Sequence, residues 1–424
     1  MAEQAPAGNS LSAAILVVGG GMAGMTAAIE ASEVSKEIIL LEKGPSLGGA
    51  VSRMNQYFPK LCPPNCGVEI NYKRLRTNKN VRVLTLAEVE SISGSPGNYQ
   101  VQIRVNPRFV NEKCTACGEC AKVCEIERDN EHNWGMDKTK AVYLPHQMAY
   151  PMRYVVDPAF AADPKMKVCA DACEYGAVEL DQQPQAVTAN VGAIVWATGW
   201  VPYDATKIEN LGFGKVPNVI TNVMMERLAA SDGPTGGKIQ RPSDNAEISS
   251  VAFVQCAGSR DDNHLPYCSA VCCMASMKQA TYIREQYPEA EINVFYIDIR
   301  SPGRLEDFYM KMQQDEKMHF LRGKVAKVTA GVNGDVTLEA EDTLTGKIQT
   351  ATVNMAVLAT GMVPATAAAK PPIDVETDEY GFLVQRDGAS IIGAGTTVRP
   401  LEVSATVQDG TGAALKGIIS AGGR

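Results

Sequence analysis

Apolar and polar positions fall in blocks along this chain. Ala13 to Val18 is an unbroken apolar run of strand length, the pattern of a strand covered on both faces. Met25 to Val34 follows with helical character and few breakers, and Glu37 to Leu41 reads as a second strand that ends at the acid Glu42. Val251 to Gln255 and Ile292 to Ile299 read as another strand pair, with a helix between them that begins near Ser269. Two more strands, Ala193 to Gly199 (AIVWATG) and Met355 to Gly361 (MAVLATG), each close on Ala-Thr-Gly. Ala389 to Gly395 (ASIIGAG) is a strand running into a glycine turn, and a helix is predicted over Val403 to Ile419. No run approaches the roughly 18 uninterrupted apolar residues of a bilayer span. The pattern predicts an α/β chain, and its 424 residues favour more than one domain.

The turn after the first strand carries the first chemistry. Gly19, Gly21 and Gly24 stand as G-x-G-x-x-G, with Met22 and Ala23 between the last two. Strand, turn, helix, second strand and acid together form the full context of a dinucleotide site. Gly19 allows the tight turn, Gly21 lets the backbone approach a pyrophosphate, and Gly24 lets the helix pack on the strand. Phosphates then meet the free N–H groups of a helix N-terminus. Glu42 is placed to bind the adenosine ribose and disfavours a 2′-phosphate. Lys43 follows, and then Gly48 and Gly49, a glycine pair that resembles the flavin loop of flavoprotein disulfide reductases. Ala197, Thr198 and Gly199, Gly361 in the second Ala-Thr-Gly, and Gly395 complete the predicted cofactor contacts. FAD is the expected dinucleotide.

Composition adds one unusual feature. The net charge of −8 gives no basic stripe and argues against a nucleic-acid partner. The polar start, MAEQAPAGNSLS, has no signal-type pattern. Twelve cysteines, however, fall in clusters, which in a chain without export signals reads as metal or Fe–S ligation rather than disulfides. Cys114, Cys117, Cys120 and Cys124 give C-x2-C-x2-C-x3-C, the bacterial ferredoxin run with Glu125 in place of the usual proline. A second motif keeps only Cys169 and Cys173. One [4Fe–4S] cluster can be built from Cys114, Cys117, Cys120 and Cys173, with Cys124 and Cys169 left from a second. Spacing leaves Cys124 open as the rival fourth ligand. The middle of this insert, from Ile126 to Pro164, is long enough to pack over the flavin or form a partner surface. His132 and His146 within it read as hydrogen-bonded structural residues. Cys62 and Cys66 leave a redox pair, a ligand role and plain packing all open.

The second Rossmann-like unit departs from a nicotinamide site. After its first strand comes Cys256-Ala-Gly-Ser-Arg260, with no G-x-G-x-x-G. Cys256, Cys268, Cys272 and Cys273 stand where phosphates would be cradled, so NAD(P)H is not the expected partner there. From spacing alone these four suit an Fe–S cluster, a zinc site or redox thiols.

The segments GGGMAGMTAAIE, LEKGPSLGGAV, CTACGECAKVC, KAVYLPHQMAYPMRYVVD and QCAGSRDDNHLPYCSAVCCMASMKQA resemble the A-subunit family of heterodisulfide reductases. Within it they are most similar to the A subunits of the quinone-interacting membrane-bound oxidoreductase complexes of sulfate reducers. The resemblance implies a thioredoxin-reductase-like two-unit flavoprotein fold with an inserted α+β ferredoxin-like domain. The corresponding boundaries are 11–104 for the first part of the FAD unit, 105–186 for the insert and 187–245 for the return strand and linker. They continue with 246–350 for the cysteine-bearing Rossmann-like unit and 351–424 for the rest of the FAD unit. The resemblance also implies FAD and two [4Fe–4S] clusters, with Cys256, Cys268, Cys272 and Cys273 holding the second. The expected role is an electron-transfer oxidoreductase subunit relaying electrons between menaquinone and adenylylsulfate reductase. Its expected partners are a related flavoprotein iron–sulfur subunit and a haem-containing membrane subunit that holds it at the inner face of the cytoplasmic membrane. The end of the chain soon after the flavin-closing helix favours this shorter type of subunit. A heterodisulfide-reductase-type flavoprotein subunit, with electron bifurcation open to it, and a redox-silent structural subunit are the alternatives. No residue stands out as a catalytic acid or base.

Overall fold

The computed structural model describes residues 10–34, 36–58, 61–386 and 388–422. The polar start of the chain before Ser10 and the last two residues of the predicted C-terminal unit lie outside them. Strand β1 (Ser10–Val18), helix α1 (Met22–Glu33) and strand β2 (Ile38–Leu41) form the predicted βαβ unit. Helix α1 starts three residues earlier than the sequence pattern suggests. The reason is Gly21, which is extended (φ −79°, ψ −171°) and caps the helix directly from the glycine turn. Helix α2 (Asn65–Thr77) and strand β3 (Val81–Leu84) follow, and then the hairpin of β4 (Ala87–Ser95) and β5 (Asn98–Val105).

The insert comes next. It holds two short helices, α3 (Glu119–Lys122) and α4 (Met166–Asp171), and two small antiparallel pairs. The pairs are β6 (Glu127–Asp129) with β7 (Lys138–Lys140), and β8 (Val142–Tyr143) with β9 (Val155–Val156). Its core is small and contains Val142, Val156, Met166 and the cysteines Cys120, Cys124 and Cys169.

Strand β10 (Gln185–Trp196) returns the chain to the first sheet. It runs parallel to β1 along its length and antiparallel to β5 over its first half, with Val105 opposite Gln185. The sheet order is β3-β2-β1-β10-β5-β4. Strands β11 (Trp200–Pro202) and β12 (Val219–Thr221) and helix α5 (Asn222–Ala229) lead into the second unit. That unit contains β13 (Ser250–Ala257), α6 (Cys272–Gln286), β14 (Glu291–Tyr296), α7 (Leu305–Gln313) and β15 (Met318–Arg322). An antiparallel layer of β16 (Val325–Ala330), β17 (Val336–Glu341) and β18 (Ile348–Val353) covers one face of its sheet. Strand β19 (Met355–Thr360) completes the parallel order β12-β19-β13-β14-β15.

Strand β20 (Met362–Pro364) pairs with β11 across the two units. Strand β21 (Ile391–Gly393) then joins the second half of β10, and helix α8 (Val403–Ala421) packs on α1. Close packing of α8 depends on small residues: a side chain at Gly410 would come within 2.7 Å of the Ala23 carbonyl oxygen. The result is two units, the first on a mixed sheet and the second on a parallel one, with the insert between β5 and β10, the α/β architecture expected from the strand pattern. Among the described residues no helix is long and apolar enough to cross a membrane.

Candidate functional site

The glycine turn is built from backbone contacts that exclude side chains. Gly19 has φ +111°, and a Cβ there would lie 2.3 Å from the Ala197 carbonyl oxygen. A Cβ on Gly24 would lie 1.8 Å from the Gly19 carbonyl oxygen, so α1 sits hard against the turn. Gly21 differs: its nearest neighbour would be 3.8 Å away, because it faces a cavity. The N–H of Gly20 donates to Glu42 Oε2 at 2.8 Å and that of Gly44 to Oε1 at 2.7 Å. Burial pushes the Glu42 carboxyl up from its ordinary value, opposed by these two N–H groups and by nearby Arg53. The carboxylate is thus fixed in place with lone pairs to spare for ribose hydroxyls.

The cavity is about 660 Å³, within the range of cofactor sites, and lies between the two units and the insert. Gly19, Gly21, Met22 and Ala23, at the start of α1, line it together with Glu42. Gly49, Ala197, Thr198 and Gly199 line it further along. The Thr198 hydroxyl is buried there without a partner among the described residues. These residues fit a dinucleotide: a glycine cradle, a helix N-terminus, a fixed acid and an unused hydroxyl.

Other predicted contacts stand apart from the wall. Gly24 lies beneath the turn. Gly48, at φ +117°, packs against Tyr72 and Ser52. Lys43 turns to solvent, its side chain 78% exposed, and pairs with Glu88 at 3.2 Å. Gly361 packs on the Ser259 and Ser269 hydroxyls. Gly395 packs on Ala23 and donates its N–H to Asp409 Oδ2 at 2.6 Å.

Sequence reasoning missed the charged groups of this cavity. Lys278 of α6 and Glu226 of α5 both line it and form a buried ion pair at 2.9 Å, with side chains only 4% and 6% exposed. Glu226 also accepts from the Asn55 N–H at 3.0 Å and Gln279 Nε2 at 2.7 Å. A lysine inside the apolar stretch CCMASMKQATYI was the available signal. Arg53 lines the cavity as well, as do His132 and His146, which reach it from the insert.

The two imidazole rings stack, with centroids 5.3 Å apart and planes at 16°. Burial first, then Arg227 and its cationic neighbours, lowers the His132 pKa to about 2. Burial also lowers that of His146 to about 4. Both are neutral in the fold, whereas an unfolded histidine takes a proton near pH 6.5. The associated stability is therefore present above about pH 6.5 and lost as pH falls toward the folded values. Denaturation of the flavin-free chain should show a lower midpoint at pH 5 than at pH 7. His146→Asn should flatten that dependence; an unchanged slope would mean the rings are solvated.

The cysteines gather in two places. Cys114, Cys117, Cys120 and Cys173 line one small cavity in the insert. The turn that presents them holds Ala116 at φ +59° and Gly118 at φ +85°. The Ala177 N–H donates to Cys173 Sγ at 3.2 Å, an interaction that favours a thiolate. Cys124 instead donates toward the Ile126 carbonyl at 3.6 Å and neighbours Cys169. Neither of these two lines the cavity. Burial, then neighbouring Cys114 and Cys173, raises the Cys120 thiol to about 11, so only a bound cation would keep it ionised.

The second group lies at the loop between β13 and α6. Cys256, Arg260 and Ala270 all have positive φ there, a concentration of strained backbone that a glycine-rich phosphate loop would avoid. Cys268 Sγ accepts the Ala270 N–H at 3.3 Å. Burial raises the Cys256 thiol to about 11, with Cys273 next in effect, and Cys272 is raised by burial and by Cys273 and Cys256. Ala270, Val271 and Met274, which flank Cys272 and Cys273, are also part of the dinucleotide cavity wall. Cys62, before α2, and Cys66, in its first turn, join neither group; the Tyr57 N–H donates to the Cys62 carbonyl at 3.0 Å. Among the described residues, no three or more His, Cys, Asp or Glu are gathered to hold a single metal ion.

A family model for FAD dependent oxidoreductases matches residues 14–65. The A subunit of the H(2):CoB-CoM heterodisulfide,ferredoxin reductase of Methanothermobacter marburgensis is 36% identical over 420 residues, covering 95% of this chain and 63% of that protein. The iron-sulfur A subunit of the CoB--CoM heterodisulfide reductase of Methanocaldococcus jannaschii is 35% identical over 421 residues, covering 94% of this chain and 63% of that protein. The chain thus spans less than two thirds of these relatives' length. Thioredoxin reductase of T. acidophilum superposes with a TM-score of 0.53 at 12% identity, covering 96% of this chain and 97% of that one. Bacillithiol disulfide reductase of Bacillus cereus gives 0.52 at 14% identity, covering 96% and 99%. The fold is therefore thioredoxin-reductase-like, with additional sheets consistent with an inserted ferredoxin-like domain. The expectation of a menaquinone to adenylylsulfate reductase relay is overturned, because the relatives are heterodisulfide reductase subunits. A resemblance carried by cysteine and flavin motifs marks the shared cofactor scaffold, not the terminal donor or acceptor.

Proposed function

Since this chain is homologous to the A subunits of heterodisulfide reductases over nearly its whole length, we propose that it is the FAD and iron–sulfur electron-transfer subunit of an oxidoreductase of that type. One observation carries the reading: the cavity lined by the glycine cradle is also lined by Ala270 and Val271, the backbone between Cys268 and Cys272. A dinucleotide lying along it would meet a cysteine group at one end. Gly19, Gly21, Met22, Ala23 and Glu42 would hold the ADP half. Cys256, Cys268, Cys272 and Cys273 would hold one [4Fe–4S] cluster, and Cys114, Cys117, Cys120 and Cys173 another.

Bound FAD supplies exchange of electrons in pairs or singly, and clusters carry them singly. The protein's part is to space and bury these groups and to deny hydride transfer from a nicotinamide. The loop after β13 serves that purpose with cysteines and Arg260, whose guanidinium pairs with Asp298. At the insert, Cys117 is exposed and Tyr175 half exposed on the wall of the small cavity, which gives electrons an edge toward an iron–sulfur partner protein. A cytoplasmic location, without a nucleic-acid partner, belongs to the same reading.

The test uses the full chain purified and reconstituted without oxygen. We expect one FAD and about eight iron atoms per chain, with both chromophores bleaching in a reductive titration. Cys173→Ser and Cys268→Ser should each remove roughly half of that iron, and Cys124→Ser none. A flavin that stays oxidised, or an iron content near zero, would overturn the reading. Loss of iron in Cys124→Ser but not Cys173→Ser would overturn the ligand set alone.

A further inference from the structure

The loop between β6 and β7 projects from the insert into the dinucleotide cavity. Its shape is fixed from within and without. The Asn130 side chain accepts the His132 N–H at 3.2 Å, and Asn133 Nδ2 donates to Asp137 at 2.9 Å. Arg227 Nε of α5 donates to Asn133 Oδ1 at 2.7 Å, and Met136 packs on the core of the second unit. The loop is therefore braced against that unit and is not a free surface excursion.

What it offers the cavity is polar and unsatisfied. Among the described residues, His132 Nε2 and Trp134 Nε1 are buried without a hydrogen-bond partner, and so is His146 Nδ1 from further along the insert. The other nitrogen of His146 bonds Ser46 Oγ at 3.1 Å, which holds the ring at the segment following Glu42. Trp134 Nε1 is a donor only and needs an acceptor. The indole face carries the Arg53 guanidinium, 4.9 Å from the ring centroid. Arg53 is half-buried, and among the described residues it has no ion-pair or hydrogen-bond partner, although Glu131 and Glu42 lie near enough to be felt. A half-buried guanidinium with no carboxylate in hydrogen-bond reach can take an anion, and a phosphate or diphosphate is its best geometric match.

We propose that Arg53, Trp134, His132 and His146 form a clamp that closes over the diphosphate-bearing ADP half of the dinucleotide, so that the insert helps retain the flavin. The clamp rests on the FAD reading. Its location follows from Ser46, which bonds His146, and from Glu42, which lies near Arg53. Arg53 supplies charge and a planar donor fork, Trp134 supplies one N–H and orients the guanidinium by stacking, and the imidazoles supply the remaining polar contacts.

The experiment strips the full chain of flavin and titrates it separately with FAD, ADP and riboflavin. Arg53→Gln should weaken FAD and ADP alike by about tenfold or more, and leave riboflavin unchanged. Trp134→Phe keeps the ring and removes the N–H, and should weaken both by a smaller factor. Equal melting temperatures of the variants and parent will show that the loss is local. If both variants bind ADP as the parent does, or if riboflavin is lost in step with ADP, the clamp is overturned while the flavoprotein reading stands. If the parent binds none of the three, the flavoprotein reading falls and the clamp with it.

Discussion

A Gly24→Ala chain is expected to purify without flavin and to melt well below the parent. The added methyl would sit 1.8 Å from the Gly19 carbonyl oxygen and 3.0 Å from its carbon, both backbone atoms. Gly19 cannot retreat, because its N–H donates to the Leu41 carbonyl at 2.8 Å and the Ala197 carbonyl stands on its other side. Helix α1 must therefore lift, and α8 blocks its path through the contact of Gly410 with Ala23. Overpacking of this kind costs about 1–3 kcal/mol or more. The lift also carries the N–H groups of Gly21, Met22 and Ala23 away from the phosphates. Gly21→Ala makes the contrast. Its methyl meets nothing closer than 3.8 Å, so the flavin-free stability should hold while flavin affinity falls. Flavin absorbance per chain and thermal denaturation read both effects. A Gly24→Ala protein with full flavin would show that the start of α1 is not the phosphate cradle.

Lys278→Met should destabilise the chain by about 3–5 kcal/mol, because it leaves the Glu226 carboxylate buried beside only neutral donors. Those donors are the Asn55 N–H, Gln279 and the Tyr282 hydroxyl at 3.2 Å. Glu226→Gln should cost less than Lys278→Met if the amide keeps its contacts, yet it leaves the ammonium without a carboxylate, beside the Gln56 carbonyl and the Tyr282 ring. The double variant should recover a large part of the loss, since it removes both charges together. Denaturant titration of the four proteins closes the cycle. Independent, additive losses would mean that the pair is solvated through the cavity.

The contrast between these two positions explains what was legible in the order of residues. Gly24 belongs to a motif whose parts are local: strand, turn and helix within a dozen residues, each forced by its neighbours. The same locality made the C-x2-C-x2-C run readable. Glu226 and Lys278 meet only because α5 and α6 pack side by side, and charged residues on helices ordinarily read as solvated faces. Lys43, adjacent in sequence to Glu42, shows the opposite error: the chain turns there and sends it to solvent. His132 and His146 read as structural histidines because nothing local reveals that the insert folds back over the cradle. The choice between Cys124 and Cys173 was likewise a question of which sulfur faces which space. As for the electron donor and acceptor, cofactor motifs constrain the wiring inside a chain and say little about what it is wired to.

The ladder that frames the insert makes it a detachable part. Val105 and Gln185 are paired neighbours, so the intervening segment leaves and re-enters the sheet at a single doorway. A genetic event could exchange it as a cassette, bridged by a short turn, without disturbing the parallel core. The exchanged cassette would carry Cys114, Cys117, Cys120 and Cys173 together with His132, Trp134 and His146, which reach the main cavity. Acquisition or loss of the module in evolution would then change the cysteine-lined pocket and one wall of the main cavity in a single step.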